Sequence, residues 1–139
     1  MPAPLIVTEN LSKTYHIGGG DVRALVDLSI AIPKGEMIAI MGPSGSGKST
    51  LLNMLGALDR PTSGEVVING TPLAKVRDMD RFRSQTIGFV FQTHNLIPTL
   101  TAQENVEVPM YELGLSGRQR RERAREMLGL VGLDQRLGF

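Results

Sequence analysis

The stretch Gly42-Pro43-Ser44-Gly45-Ser46-Gly47-Lys48-Ser49 constrains this chain more than any other. It matches G-x-x-x-x-G-K-[ST], a pattern whose physical content is an anion cradle. Glycines let the backbone turn so that successive N–H groups point into one phosphate-sized hollow. A helix starting at the loop's end aims its positive terminus at the same place. Lys48 is then placed to reach the outer phosphates of a nucleotide, and the Ser49 hydroxyl to join a Mg²⁺ shell. The flanks suit the pattern. Met37–Met41 is an apolar run that reads as a buried strand, and Lys48–Leu58 reads as a helix. A plain flexible Gly/Ser turn is the bland alternative, and these flanks weigh against it.

Composition bounds the rest. A chain of 139 residues, with 41% hydrophobic and 21% charged residues, suits one ordinary globular domain. Fifteen basic against fourteen acidic residues leave a net charge of +1, which gives no reason to expect a nucleic-acid partner. With no cysteine, disulfides, thiolate catalysis and thiolate metal sites are excluded together. The opening Met-Pro-Ala-Pro has neither the basic nor the apolar region of a signal peptide, so an intracellular location is expected. No apolar run approaches the roughly 20 residues of a membrane-spanning helix, so any membrane link is expected through a partner.

Along the chain, Leu5–Tyr15 reads as a strand with a bend near Asn10. Gly18-Gly19-Gly20-Asp21 is a reversing loop, and Val22–Ile32 alternates as a half-buried strand. The N-terminal third therefore predicts a small antiparallel sheet. Pro33-Lys34-Gly35 is a tight turn, Asp59–Gly64 a turn cluster, Glu65–Asn69 a short strand and Gly70-Thr71-Pro72 its close. Val76–Ser84 suggests a surface helix, and Ile87–Phe91 a compact apolar strand ending at Gln92. Thr101-Ala102-Gln103-Glu104 and Ser116-Gly117-Arg118-Gln119 are capping boxes that open helices. Pro109 must kink or end the first. The second runs to about Val131, with Ala124, Met127, Leu128 and Val131 on one stripe.

These phrases, taken together and in order, resemble the ATP-binding subunits of ABC transporters. The resemblance covers about Leu5 to Leu133. It rests on Leu11-Ser12-Lys13-Thr14-Tyr15, the loop with Thr50-Leu51-Leu52 after it, Pro61-Thr62-Ser63-Gly64, Gly88-Phe89-Val90-Phe91-Gln92 and Leu100–Val106. Leu58–Gly64 and Glu104–Pro109 look closest to the branch serving macrolide export and lipoprotein release. The resemblance implies an α/β fold: a P-loop NTPase core, an N-terminal antiparallel β subdomain and the start of a helical subdomain. Residues 1–36 would be mainly antiparallel β, 37–92 the core, and 93–139 the incomplete helical part. The whole would be the N-terminal part of one ATP-binding domain.

The resemblance also implies residue roles. Tyr15 matches the aromatic that stacks on adenine; a half-buried tyrosine at a strand end is the bland alternative. Gly42, Pro43, Ser44, Gly45, Ser46, Gly47, Lys48, Ser49 and Thr50 would hold the phosphates of ATP. Ser49 and Gln92 would hold Mg²⁺, although a glutamine after a strand is more often a solvated loop residue. The segment from His94 to Thr101 would face a membrane-spanning subunit, with His94 a surface residue and not a ligand. A second ATP-binding subunit would complete a homodimer on the cytoplasmic face of the cell membrane.

Some expected parts do not occur in the sequence. No apolar run ending in Asp-Glu follows Gln92, and no Leu-Ser-Gly-Gly-Gln phrase is present. Leu115-Ser116-Gly117-Arg118-Gln119 imitates that phrase, but it comes too early, and Arg118 stands where glycine lets backbone approach the γ-phosphate. Helix capping explains it better, and the charges that follow read as a solvated helix face. The chain thus reads as part of a longer protein or a truncated gene product, with an uncovered apolar face and no catalytic acid or base of its own. An ATPase subunit that powers transport is the leading reading. A binding module without turnover is the alternative, and a small P-loop kinase a third that Tyr15 and Gln92 disfavour.

Overall fold

The fold is that of a computed structural model of the chain, which describes residues 3–93 and 95–138. It comprises two compact units, residues 1–79 and 80–139.

In the first unit, β1 (Ile6–Ile17) and β2 (Gly20–Ile32) form a long hairpin, paired from Ile6 with Ile32 to Ile17 with Gly20. β3 (Ser63–Ile68) pairs with the other edge of β1, and β4 (Thr71–Pro72) with β3. The sheet order is β2-β1-β3-β4, and every pair is antiparallel, as the N-terminal pattern predicts. The bend falls at Asn10, which adopts φ 46° while the ladder slips between Thr8 and Leu11. Asparagine tolerates this left-handed geometry better than most residues. Buried Thr8 repairs the slipped ladder. Its hydroxyl donates to the Leu28 carbonyl at 2.9 Å and accepts the Ile30 N–H at 3.1 Å. Gly64, at φ 82°, lies so close to Asn10 that a Cβ there would collide with the Asn10 carbonyl oxygen.

The helix α1 (Lys48–Leu55) lies against β2 and β3 and buries Leu51, Met54 and Leu55. With Leu11, Leu25, Ala57, Val66, Ile68 and Leu73 they are the buried apolar residues described in this unit. α1 stops three residues before the expected Leu58. Ala57 turns to φ 54°, and the N–H groups of Leu58 and Asp59 both donate to the Asn53 carbonyl. Those bonds satisfy the helix end and close it.

The buried strand expected at Met37–Met41 does not form. Among the described residues the segment has no sheet partner, with Met37 100% and Met41 88% exposed. Nor does Ile87–Phe91 form a strand in the second unit, where Val90 is fully exposed. A strand exists only through its ladder. The sequence pattern of both segments suits a core strand, but among the described residues neither meets a pairing backbone.

The second unit is helical. α2 (Met79–Thr86) starts three residues later than expected: Val76, the C-cap of a 3₁₀ turn at Leu73–Lys75, is extended at φ -76° and ψ 118°. α3 (Ala102–Glu107) gives way at Pro109 to a 3₁₀ segment, Val108–Leu113, as proline requires. α4 (Gly117–Leu130) packs on α3 and buries Ala124 and Leu128. Met127 is half-buried, but Val131 falls past the helix end and is exposed, so the apolar stripe is one residue shorter than predicted.

Candidate functional site

The candidate site starts at the glycine-rich loop. The Ser46 N–H donates to the Pro43 carbonyl at 3.3 Å, and Gly45 and Gly47 adopt φ 79° and 86°. Gly47 is seated on β2. A Cβ there would stand 2.5 Å from the Ala24 carbonyl oxygen and 3.1 Å from Leu25 Cδ2. Glycine therefore meets two needs at once, a left-handed φ and a close approach.

Gly47 is also the N-cap of α1. It offers no side-chain cap, and no acidic residue occupies the first turn. The first intrahelical bond is Leu51 N–H to the Gly47 carbonyl, at 2.8 Å, so the amides of Lys48, Ser49 and Thr50 have no partner within the helix. Lys48 curls back across the loop, where its Nζ donates to the Gly42 carbonyl at 2.8 Å and the Pro43 carbonyl at 2.7 Å. Among the described residues no carboxylate pairs with it. Pro43, Ser44, Ser46 and Ser49 are exposed, and Thr50 is half-buried. Uncapped amides, a helix N-terminus and an ammonium balanced only by carbonyl dipoles thus converge on one open loop. That donor set fits a polyphosphate.

Tyr15 belongs to the same unit, opposite Val22 near the end of the β1–β2 ladder. Its hydroxyl donates to Asp59 Oδ2 at 3.1 Å, and Lys13 Nζ lies 4.9 Å from its ring centroid. Asp59 Oδ1 accepts from Lys13 Nζ at 2.8 Å and from the Arg60 N–H at 2.7 Å. Partial burial pushes the Asp59 carboxyl up. The hydrogen bonds from Lys13, Arg60 and Tyr15 outweigh this and hold it below the usual carboxylate range. Neither Lys13 nor Asp59 emerges from sequence reasoning, where Asp59 is one residue of a turn cluster. Only the fold brings residues 13, 15 and 59 together.

Gln92 belongs to the second unit, where it is exposed and on a bend, and Ser49 belongs to the first. His94 lies outside the described residues. Among the described residues no cluster of three histidine or acidic side chains is built to hold a metal. The segment after Gln92 is organised by a residue to which the sequence assigned no role. Asn105 Nδ2 donates to the carbonyls of Ile97, Leu100 and Thr101 at 3.0–3.2 Å, and its Oδ1 accepts the Ile97 N–H at 2.8 Å. A cavity of about 320 Å³ opens beside it, lined by Phe91, Leu96, Ile97, Val108 and Pro109 among others.

The Leu115–Gln119 phrase is a helix cap, as the sequence suggests. Ser116 Oγ accepts the Gln119 N–H, and Gln119 Oε1 accepts the Ser116 N–H at 2.8 Å. Behind it, Arg118–Glu122 and Arg123–Glu126 pair along an exposed face.

Comparison with known proteins agrees with this geometry. Residues 25–138 match the family model described as "ABC transporter". The macrolide export ATP-binding/permease protein MacB of Brucella abortus is 47% identical over 97% of this chain, which spans 21% of that protein. The lipoprotein-releasing system ATP-binding protein LolD of Legionella pneumophila is 44% identical over 96% of the chain and 60% of its own length. The dimeric ATP-binding cassette MJ0796 of Methanocaldococcus jannaschii, solved in a post-hydrolysis state bound to ADP and Pi, superposes with a TM-score of 0.80 at 46% identity. That match covers 96% of this chain and 60% of the cassette.

Proposed function

We propose, from the premise that this chain belongs to the ABC transporter family, that its glycine-rich loop holds the phosphates of Mg-ATP in a transport ATPase. The observation that carries this is the loop's own design. Gly47 leaves the start of α1 uncapped while Lys48 Nζ rests on the Gly42 and Pro43 carbonyls. An arriving triphosphate exchanges those carbonyl contacts for charge-assisted ones, which are roughly twice as strong as neutral hydrogen bonds. The Lys48, Ser49 and Thr50 amides take phosphate oxygens, the Ser49 hydroxyl takes a place beside Mg²⁺, and Tyr15 offers its ring to adenine. Gln92 would offer an uncharged oxygen ligand in the complete protein. Mg²⁺, when bound, would neutralise phosphate charge.

The remaining parts belong to the longer protein that the coverage of relatives implies. A carboxylate to orient water, a further carboxylate beside the Mg²⁺ and donors from a partner subunit complete hydrolysis. A membrane-spanning subunit at the cytoplasmic face takes up the resulting motion, with the cavity beside Asn105 as its seat. No helix among the described residues is long and apolar enough to cross a membrane, so this role falls to a partner or to another part of the protein. Within residues 1–139 we assign 1–36 to the β subdomain, 37–92 to the core and 93–139 to the helical part. The test is titration with a fluorescent ATP analogue. Saturable binding that is lost in Lys48→Ala supports the reading, and equal binding by the variant overturns it.

A second reading, a module that binds ATP without turnover, is favoured by one observation: the sequence has no apolar run ending in Asp-Glu after Gln92. Mg²⁺-dependent ATPase measurement on residues 1–139 separates the two. Turnover comparable to a complete family member removes the second reading.

A further inference from the structure

We propose that Asp59 and Lys13 are positioning residues for the adenine platform, fixing the orientation and the available face of the Tyr15 ring. This rests on the nucleotide-binding reading above and adds a determinant outside the loop. A ring on a strand end turns about its side-chain bonds, and stacking gains little if the ring must be ordered on binding. Here it is held at two points. Asp59 Oδ2 takes the hydroxyl at 3.1 Å, which fixes the tilt. The Lys13 ammonium sits 4.9 Å from the centroid, which occupies one face and leaves the opposite one for a base.

The clamp is itself anchored. Lys13 Nζ donates to Asp59 Oδ1 at 2.8 Å and to the Arg60 carbonyl at 2.7 Å, and its side chain is only 13% exposed. The Arg60 N–H closes on the same carboxylate oxygen at 2.7 Å. One residue along, the Thr14 N–H donates to Thr62 Oγ1 at 3.0 Å, and the Thr62 N–H donates to the Ser12 carbonyl at 2.9 Å. The connection from α1 to β3 is thus laced to β1 at Ser12, Lys13 and Thr14 as well as at Tyr15 itself. Since α1 begins at the phosphate loop, base platform and phosphate cradle are joined through α1 and the connection that follows it. Lys13 is not free to act as a phosphate ligand, because carboxylate and carbonyl already hold it.

The clamp makes a prediction that separates base from phosphate. Titration compares ATP with inorganic tripolyphosphate, which carries the charge without the ring. Asp59→Ala is expected to weaken ATP by about tenfold, the equivalent of about 1.4 kcal/mol, and to leave tripolyphosphate affinity unchanged. Tyr15→Phe, which keeps the ring and removes the hydroxyl, is expected to lose part of that factor. Adding Asp59→Ala to it should cost less than in the wild type, since the two act through one contact.

A spectroscopic signature accompanies this. The chain has two tyrosines and no tryptophan, so Tyr111→Phe leaves Tyr15 as the sole emitter. Its carboxylate-quenched emission should rise in Asp59→Ala. If Asp59→Ala does not fold, Tyr15→Phe carries the same ATP-against-tripolyphosphate comparison with the Lys13–Asp59–Arg60 contacts intact. Equal weakening of both ligands, or unchanged ATP affinity with unchanged emission, overturns the proposal. If the wild type binds neither ligand, the failure belongs to the nucleotide-binding reading. If it binds tripolyphosphate and ATP equally, the platform alone is overturned.

Discussion

Gly47 and Gly64 show how single positions govern this molecule, because each combines a left-handed φ with backbone pressed against the missing Cβ. Gly47→Ala must push α1 off the Ala24 carbonyl, and with it the phosphate loop. We expect at least a tenfold loss of nucleotide affinity, more than about 1.4 kcal/mol, in the ATP titration. Gly64→Ala strikes the Asn10 carbonyl instead, where β1 bends. It should lower the stability of the first unit by about 2 kcal/mol or more in urea unfolding, without touching the loop. Two carboxylates set an acid limit. The Thr101 backbone N–H, then its hydroxyl, hold Glu104 below its ordinary range. Asp59 is also held low, by hydrogen bonds that outweigh its desolvation. Groups with a depressed folded pKa contribute stability above the unfolded value, and that contribution is lost as pH falls through the folded one. The unfolding midpoint should therefore hold from neutrality to about pH 4 and drop below it. Asp59→Asn and Glu104→Gln should each flatten part of that drop.

Short helices depend on their ends, and α3 is only six residues long. Thr101 Oγ1 accepts the Glu104 N–H at 3.2 Å, and Glu104 Oε2 accepts the Thr101 N–H at 2.8 Å. Asn105 on this helix then gathers the carbonyls of the loop before it. Thr101→Ala should cost about 1 kcal/mol and speed amide exchange across Ala102–Glu107 and Ile97. The longer α4, capped separately by Ser116, should exchange as before. Capping boxes are local, four residues reading one another, so both were legible before any fold was known. The end of α1, set by the turn of Ala57, is not, and the bounds of α1 and α2 lie two to three residues from where the pattern puts them.

For the whole molecule, the two apolar runs expected to be strands stand open to solvent. Met37, Met41, Val90 and Phe91 are each more than half exposed. Unpaired apolar segments of this kind are association sites. The 139-residue chain should self-associate with rising concentration in light scattering. Met37→Lys with Val90→Lys should suppress this without lowering the unfolding midpoint, because neither side chain is buried.

Residue pattern alone determined what lies close in sequence: the phosphate loop, the β1–β2 hairpin with its bend at Asn10, both helix caps, and through the ordered phrases the family itself. Each of these is decided by contacts within a few residues, or by an alternation that any neighbour would satisfy. Whether Met37–Met41 and Ile87–Phe91 become strands is decided by who pairs with them, which no pattern within the segment records. The same holds for the clamp on Tyr15. A carboxylate some 44 positions away in the chain becomes its partner only once β1 and the end of α1 are brought together by the sheet and its core.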